Sequence, residues 1–314
     1  MRLRFTSHFQ PSTPYSFVRT VRKPAGWDWL TPSEVWRDGV IWSGFRLSSG
    51  LPVGVKVWSS AGKREAPQLT AQVYSERKFS QEEHDEAVST LRACLAVDDD
   101  IREFYRMARQ YPALRRAVKD LSGMRETPFP DLFSAMITAI TLQLAPMSRT
   151  KQMIDLLYRH YGVEIQLNGQ KVILPPSASD IAGLSEGVLR ERCKLGFRAG
   201  TLVACAKEIV SGALPAIRDL EKLPPDKVTA LLKRIRGLGE YSLGIIGIHP
   251  SFPADSWSCG IFAKVLDVEI REGPSAIQQI KSFAQSAFTR WQSYVYAYIL
   301  NDLPNLSKQF TLSI

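Results

Sequence analysis

The sequence predicts an α+β protein in which a small N-terminal unit built on an antiparallel sheet precedes an all-helical body. Three observations lead there. VIWSGFRL (40–47), VGVKVW (53–58) and QLTAQVY (68–74) are short runs rich in β-branched and aromatic residues, and the last two alternate as half-buried strands do. From Gln81 the apolar spacing changes to three and four residues, in EEHDEAVSTLRACLAV and then IREFYRMARQY, the period of an amphipathic helix. That period continues through the rest of the chain, broken at joints containing Pro or Gly such as PPSASD, LGFRAG and KLPPDK.

In the first unit, residues 1–95, SSG and SAGK supply the turns between strands. The body, residues 96–314, reads as helices over 131–144, 147–161, 177–183, 187–194, 198–212, 226–235, 240–248, 258–267, 274–287 and 290–301. QKVIL (170–174) is a short strand candidate among them.

With 45% hydrophobic and 23% charged residues, 314 residues suit one large globular domain or two smaller ones. A net charge of +9 points to a polyanionic partner, nucleic acid first; a basic surface that only aids solubility is the other reading. Cys94, Cys193, Cys205 and Cys259 show no CxxC spacing and no His at metal-ligand intervals, which argues against an iron–sulfur cluster or zinc finger. MRLRFTSHFQ lacks the apolar core of a signal peptide, and no apolar run is long enough to span a bilayer. The expectation is a cytoplasmic protein with reduced thiols.

The most informative stretch is RIRGLGEYSLGIIGIHPSFPADSWS (234–258). A helix breaks at Gly237-Leu238-Gly239 and resumes from Glu240. Glycine at both hairpin positions permits positive φ and the close approach of another backbone. Amides at the start of the second helix have no intrahelical partner and form a phosphate site, while Leu238 pins the hairpin to the core. Such a device grips a DNA backbone without reading sequence. A plain αα-corner is the alternative.

The hairpin followed by a lone, apolar-flanked aspartate resembles the helix-hairpin-helix (HhH-GPD) superfamily of DNA glycosylases. DLFSAMITAITLQLAPMSRTKQM (131–153) is similar to the family's helix–Gln-Leu–helix segment, and LGFRAGTLVACAKEI (195–209) to its LG-x-R-A helix. WQSYVYAYIL (291–300) is similar to the Trp-x-Ser-Tyr helix of the bacterial 3-methyladenine glycosylases. The likeness spans roughly residues 95–305. The N-terminal unit stands where these enzymes, and the 8-oxoguanine glycosylases, carry a TBP-like β domain.

Excising a base breaks the N-glycosidic bond through an oxocarbenium-like sugar, which one carboxylate can stabilise while it orients water. The resemblance gives this role to Asp255, with Phe252, Pro253 and Trp257 lowering the local dielectric. The competing role is an N-cap for the helix that follows. A base inside a duplex must be flipped out, and the resemblance sets Leu144, beside Gln143, where an apolar wedge fills the hole. The alternative for Leu144 is a core leucine at a helix end. The carbonyls of Lys233, Ile235 and Gly237 correspond to those that hold a monovalent cation (Na or K) between hairpin and phosphate. Gly239 and Gln143 join Arg236, Arg149 and Lys264 as implied DNA contacts, with Arg234, Lys151 and Arg198 as further candidates; each could equally be a solvated surface charge.

Two departures matter. Bifunctional members carry a lysine two residues after the second hairpin glycine, and here that residue is Tyr241. Without the amine there is no obvious Schiff-base nucleophile, which implies a monofunctional enzyme; Tyr241 lines the base pocket or merely packs. The interval from Tyr241 to Asp255 is 14 residues, about one helical turn short of the family pattern. Ile245 and Leu300 stand where the bacterial 3-methyladenine enzyme has rings, so Trp257, Trp291, Tyr241 and Tyr294 are candidate replacements.

The sequence thus implies a monomeric, nucleoid-associated DNA glycosylase of base excision repair. It would hydrolyse a flipped-out damaged base from double-stranded DNA, alkylated purines such as 3-methyladenine being favoured, with no cofactor beyond the cation. LGFRAG also resembles the 8-oxoguanine branch, which keeps that or another modified base as the alternative. A non-catalytic helix-hairpin-helix DNA-binding protein is the alternative outside the enzyme class.

Overall fold

The computed structural model describes residues 1–60, 67–271, 273 and 275–310. The N-terminal elements are β1 (Arg2–Phe9), α1 (Phe17–Val21), β2 (Val35–Arg37), β3 (Val40–Arg46), β4 (Pro52–Ser60), β5 (Gln68–Ser75) and α2 (Gln81–Cys94). The strands form one antiparallel sheet in the order β1-β5-β4-β3-β2. The three expected strands are its centre. The flanking β1 and β2 escape the sequence pattern, because RLRFTSHF is largely exposed and β2 is only three residues long. Most of the expected SAGK turn lies outside the described residues. Ser80 and Glu83 cap α2 reciprocally, each side chain bonding the other's backbone amide.

Both faces of this sheet are covered. Ile41, Phe45, Val55 and Val73 pack with Phe17 of α1 and Leu91 of α2. Trp42 and Tyr74 on the other face pack with a hairpin inserted in the helical body, β6 (Val163–Leu167) and β7 (Gln170–Leu174). Its turn is Asn168-Gly169, both at positive φ (49° and 76°), the backbone an Asn-Gly hairpin requires. A Cβ on Gly44 would lie 2.7 Å from the Leu174 side chain, so the bare glycine lets this hairpin press against β3.

The body comprises α3 (Arg102–Ala108), α4 (Pro112–Asp120), α5 (Leu132–Leu142), α6 (Met147–Tyr161), α7 (Ala178–Ala182), α8 (Glu186–Arg192), α9 (Arg198–Val210), α10 (Ile217–Leu220), α11 (Pro225–Lys233), α12 (Glu240–Ile246), α13 (Ser258–Leu266), α14 (Ala276–Phe288), α15 (Gln292–Asn301) and α16 (Leu303–Phe310). Each expected helix is present, with ends within two residues of those read from the sequence. Pro274, the first residue of one expected helix, is outside the described residues.

Two hydrophobic clusters organise these helices. Ile137, Ile140, Leu157, Leu202, Leu238 and Ile246 hold α5, α6, α9 and α12 together. Phe104, Leu114, Phe262, Phe288 and Tyr298 hold α3, α4, α13, α14 and α15. The chain leaves the first cluster at Ile246 and enters the second at Phe252 and Ala254. Asp255 follows at once, at the seam between the two lobes. Among the described residues no helix is long and apolar enough to cross a membrane.

Candidate functional site

The hairpin is rigid on its inner side and open on its outer side. The Leu238 amide donates to the Ile235 carbonyl at 3.1 Å, and the Leu238 side chain is buried among Ile235, Ile246 and α5. Gly237 has φ 99°, and a Cβ there would overlap Thr201 Oγ1 of α9, which donates to the Arg236 carbonyl at 3.2 Å. Glycine is therefore needed at 237 by the protein itself. Gly239 differs: its φ is −90°, and an added Cβ would meet nothing within 4 Å. Neither backbone strain nor internal packing explains glycine at 239, which leaves room for an approaching backbone outside. Arg234 and Arg236 are exposed beside it.

The end of α5 is bonded to this hairpin. Gln143 Nε2 donates to the Gly237 carbonyl at 2.7 Å and to Ser242 Oγ at 2.8 Å. The Gln143 carbonyl in turn accepts from Arg198 Nε at 3.0 Å. So fixed, the chain turns through Leu144 at φ 46° and leaves that side chain 92% exposed. The expected helix through 144 thus stops at Leu142, and the core-leucine alternative for Leu144 is overturned. A left-handed conformation costs a non-glycine residue about 1–2 kcal/mol, so the fold holds an apolar side chain in solvent on a strained backbone.

Two neighbours extend this surface. Arg149 donates to the Lys194 carbonyl at 2.8 Å, next to the α9 entry. Phe197, 60% exposed, carries the Arg198 guanidinium over its ring at 4.4 Å. Phe197 was not among the expected residues; its signal was a large aromatic outside the apolar stripe of the following helix. Lys151 donates to the Gly26 carbonyl at 2.7 Å, so it links the lobe to the N-terminal unit. Lys264 lies on the exposed side of α13, lining a cavity of about 730 Å³ with Ser256, Cys259 and Asp267.

Asp255 is half-buried and held by α13. Its Oδ1 accepts from the Ser258 amide at 2.8 Å and from Ser258 Oγ at 2.6 Å, while its own amide donates to Ser258 Oγ at 3.0 Å. The capping geometry considered from sequence is present, and it occupies one oxygen. Oδ2 accepts no hydrogen bond among the described residues. Capping and a chemical role are therefore compatible in the same carboxylate.

The loop behind Asp255 is tied down from both lobes. A Cβ on Gly244 of α12 would come within 2.8 Å of Pro253 Cβ, so glycine admits the close crossing. Ser251 Oγ donates to the Gly244 carbonyl at 3.0 Å. The Ser251 amide donates to Ser293 Oγ at 3.1 Å, and that hydroxyl donates back to the Ser251 carbonyl at 3.3 Å. The serine of the Trp-x-Ser-Tyr stretch thus positions the aspartate loop.

Two tyrosines share the electrostatic field of Asp255. Burial pushes the Tyr241 hydroxyl up to about 12, and the nearby Asp255 carboxylate adds to the rise. Tyr296 is also held well above its ordinary value, by burial first and then by Tyr241 and Asp255. Its ring packs on Phe262 at 5.2 Å and Phe252 at 5.6 Å. Tyr296 was not expected, although it stands one turn before Leu300 on α15. Ile245 is half-buried against the first cluster, Leu300 half-buried against the second, and Trp257 is 53% exposed.

Trp291 and Tyr294 make other contacts. Trp291 packs on Phe104 and Tyr294, at 5.8 and 5.5 Å, under the Arg290 guanidinium, and lines a cavity of about 660 Å³ with Asp98, Asp99 and Asp100. The Tyr294 hydroxyl donates to Asp99 at 2.6 Å.

No protein-family model matches the chain. Over 229 residues it is 23% identical to the DNA-3-methyladenine glycosylase of Bacillus subtilis (strain 168), covering 71% of this chain and 74% of that one. The 3-methyladenine DNA-glycosylase from Archaeoglobus fulgidus superposes with a TM-score of 0.76, over 98% of this chain and 100% of that one, at 18% identity. This chain has the helix-hairpin-helix glycosylase fold. The Clostridium acetobutylicum 8-oxoguanine glycosylase/lyase, solved with double-stranded DNA containing cytosine opposite 8-oxoguanine, shares the glycosylase fold. It superposes with a TM-score of 0.63 over 89% of this chain and 98% of that one, at 16% identity. The expected architecture, an antiparallel sheet followed by helices, is the one these structures have.

Proposed function

We propose that the protein is a DNA glycosylase that removes a damaged base from duplex DNA by hydrolysis, with alkylated purines such as 3-methyladenine as favoured substrates. The observation that carries this reading is Asp255. One carboxylate oxygen is fixed by Ser258 and the other unengaged, at the seam of two lobes and beside Tyr241. The hairpin holds the strand through its backbone, Leu144 enters the stack where the nucleotide leaves, and the flipped sugar meets the free oxygen of Asp255. As the C1′–N bond breaks, the base departs with the bonding electrons and the carboxylate stabilises the cationic sugar. Water then adds at C1′ and leaves an abasic site.

Tyr241 supports hydrolysis over lyase chemistry. Its phenol stays protonated at neutral pH, and no amine occupies that position. The carbonyls of Lys233, Ile235 and Gly237 suit a monovalent cation in chemical type. They are neutral oxygens, and the hydrogen bonds to Ile235 and Gly237 leave each carbonyl a second lone pair. Such a cation would add positive charge beside a bound phosphate. Both named relatives of the alkyl-base type support the substrate preference.

The test is base release from duplexes carrying one alkylated purine, hypoxanthine, 8-oxoguanine or uracil, with and without hot alkali, alongside borohydride trapping. Breaks that need alkali, greatest with the alkylated purine and without a trapped adduct, are expected. Breaks without alkali would contradict the hydrolytic assignment, and no release from any lesion would contradict the glycosylase assignment.

A further inference from the structure

The hairpin carries an anion of its own beside the turn proposed to receive a DNA phosphate. Glu240 follows Gly239 directly, and its carboxylate lies between two ammonium groups. Lys233 Nζ stands 3.3 Å from Oε1, and Lys281 Nζ stands 4.0 Å from Oε2. Each oxygen thus faces its own cation. The Glu240 side chain is 62% exposed and has solvent to turn into, whereas that of Lys281 is only 20% exposed, its stem covered.

The two lysines come from different lobes. Lys233 ends α11, next to Leu232 of the first hydrophobic cluster, and Lys281 follows Ile280 of the second cluster on α14. The Glu240–Lys281 pair therefore reaches from one lobe to the other. Exposed ion pairs contribute little to stability, so exchanging one anion for another at this point costs the fold little. An acid in the first turn also favours helix formation, and Glu240 supplies that to α12.

We infer that Lys233 and Lys281 form a binding site for a backbone phosphate of DNA, closed across the two lobes, and that Glu240 fills this site until the phosphate displaces it. The inference rests on the glycosylase reading above. A phosphodiester carries the same single negative charge as the carboxylate. It likewise presents two oxygens, each able to meet one ammonium. Gly239 leaves room for the approach, since an added Cβ there would meet no protein atom within 4 Å. On exchange Glu240 turns to water, and Lys281 becomes a strand contact supplied by α14. In the free protein the carboxylate keeps the two ammonium groups together, and it competes with every incoming phosphate. Its presence therefore tempers affinity for duplex DNA.

The experiment measures dissociation constants of the full chain for a duplex bearing a tetrahydrofuran abasic analogue, across a salt series. Glu240→Gln should bind at least about threefold tighter than wild type. Lys281→Met should bind at least about threefold weaker, with the slope of log affinity against log salt smaller by about one. The double variant decides whether the lysine meets the phosphate or only neutralises the carboxylate. Lys281→Met should still weaken binding at least about threefold in the Glu240→Gln background. Lys281→Gln repeats these measurements if Lys281→Met does not fold. Three results would each overturn the inference: no gain of affinity in Glu240→Gln, an unchanged salt slope in Lys281→Met, or a loss that disappears in the double variant. A Glu240 that only supports α12 gives the first of these, with a shifted melting temperature. Failure of the glycosylase reading would show separately, as absence of base release whatever these affinities are.

Discussion

Gln143 and Gly237 are joined by a 2.7 Å hydrogen bond from the side-chain amide of one to the backbone carbonyl of the other. This bond connects the helix end that presents Leu144 to the turn proposed to hold the DNA backbone. The proposed strand grip and the proposed stack insertion would then share one hydrogen-bonded unit. Gln143→Ala removes this bond and the one to Ser242 and should lower unfolding free energy by about 1–2 kcal/mol. Urea denaturation measures that loss, and single-turnover base release on duplex DNA should fall with it.

Leu144 should show the opposite split between stability and activity. At 92% exposure its side chain contributes almost no burial, and its φ of 46° strains any residue with a Cβ. Leu144→Gly is expected to keep or raise stability, by up to about 1 kcal/mol. Release from duplex substrate should fall about tenfold or more, while release from single-stranded substrate, where no stack must be filled, changes little. Parallel rates on the two substrates check this.

The two hairpin glycines should separate as well. Gly237→Ala places a Cβ against Thr201 Oγ1 at a φ of 99° and should cost about 2 kcal/mol or more in thermal unfolding. Gly239→Ala meets no protein atom within 4 Å and should leave the melting temperature unchanged. Its affinity for duplex DNA should still drop if the added methyl occupies the side proposed to receive the phosphate backbone. Melting curves and binding isotherms of the two variants give the comparison.

Glu34 sets a pH dependence of stability unrelated to the reaction. Burial raises its carboxyl from an ordinary 4.5 to about 7, against hydrogen bonds from the Trp29 and Leu30 amides and Ser43. The folded protein therefore holds this proton more tightly than the unfolded chain does. No penalty exists below pH 4.5, and the penalty grows as pH rises to about 7, reaching about 3 kcal/mol above it. Stability should decline from pH 5 to 8 in wild type, and Glu34→Gln should flatten most of that slope in denaturant titrations.

The helical body was legible because its apolar residues repeat at helical spacing and its joints carry Pro or Gly. Strand β1 was not, since an edge strand with little burial leaves no alternation to read. The β6–β7 hairpin is half legible: QKVIL reads as a strand, while its pairing with VEIQL depends on the short Asn168-Gly169 turn. At the candidate site, Gly237, Gln143 and Asp255 could be named from local motifs. Thr201, Ser293 and Tyr296 fall inside the quoted motif stretches, but their roles were not legible, because they come from contacts between segments distant in sequence. Trp291 shows the converse: an aromatic in a motif proves to pack on Phe104, a partner that no local pattern announces.

The free oxygen of Asp255 is proposed to do the chemistry while the bonded one caps α13. Asp255→Asn separates the two roles, because asparagine caps as well as aspartate but carries no charge. The measurement is single-turnover release of an alkylated purine by wild type and Asp255→Asn, with affinity for an abasic-analogue duplex measured on both. Unchanged melting temperature, comparable DNA affinity and a loss of release of at least about a hundredfold are expected. Release at the wild-type rate by folded Asp255→Asn would reduce Asp255 to a helix cap and overturn its chemical role.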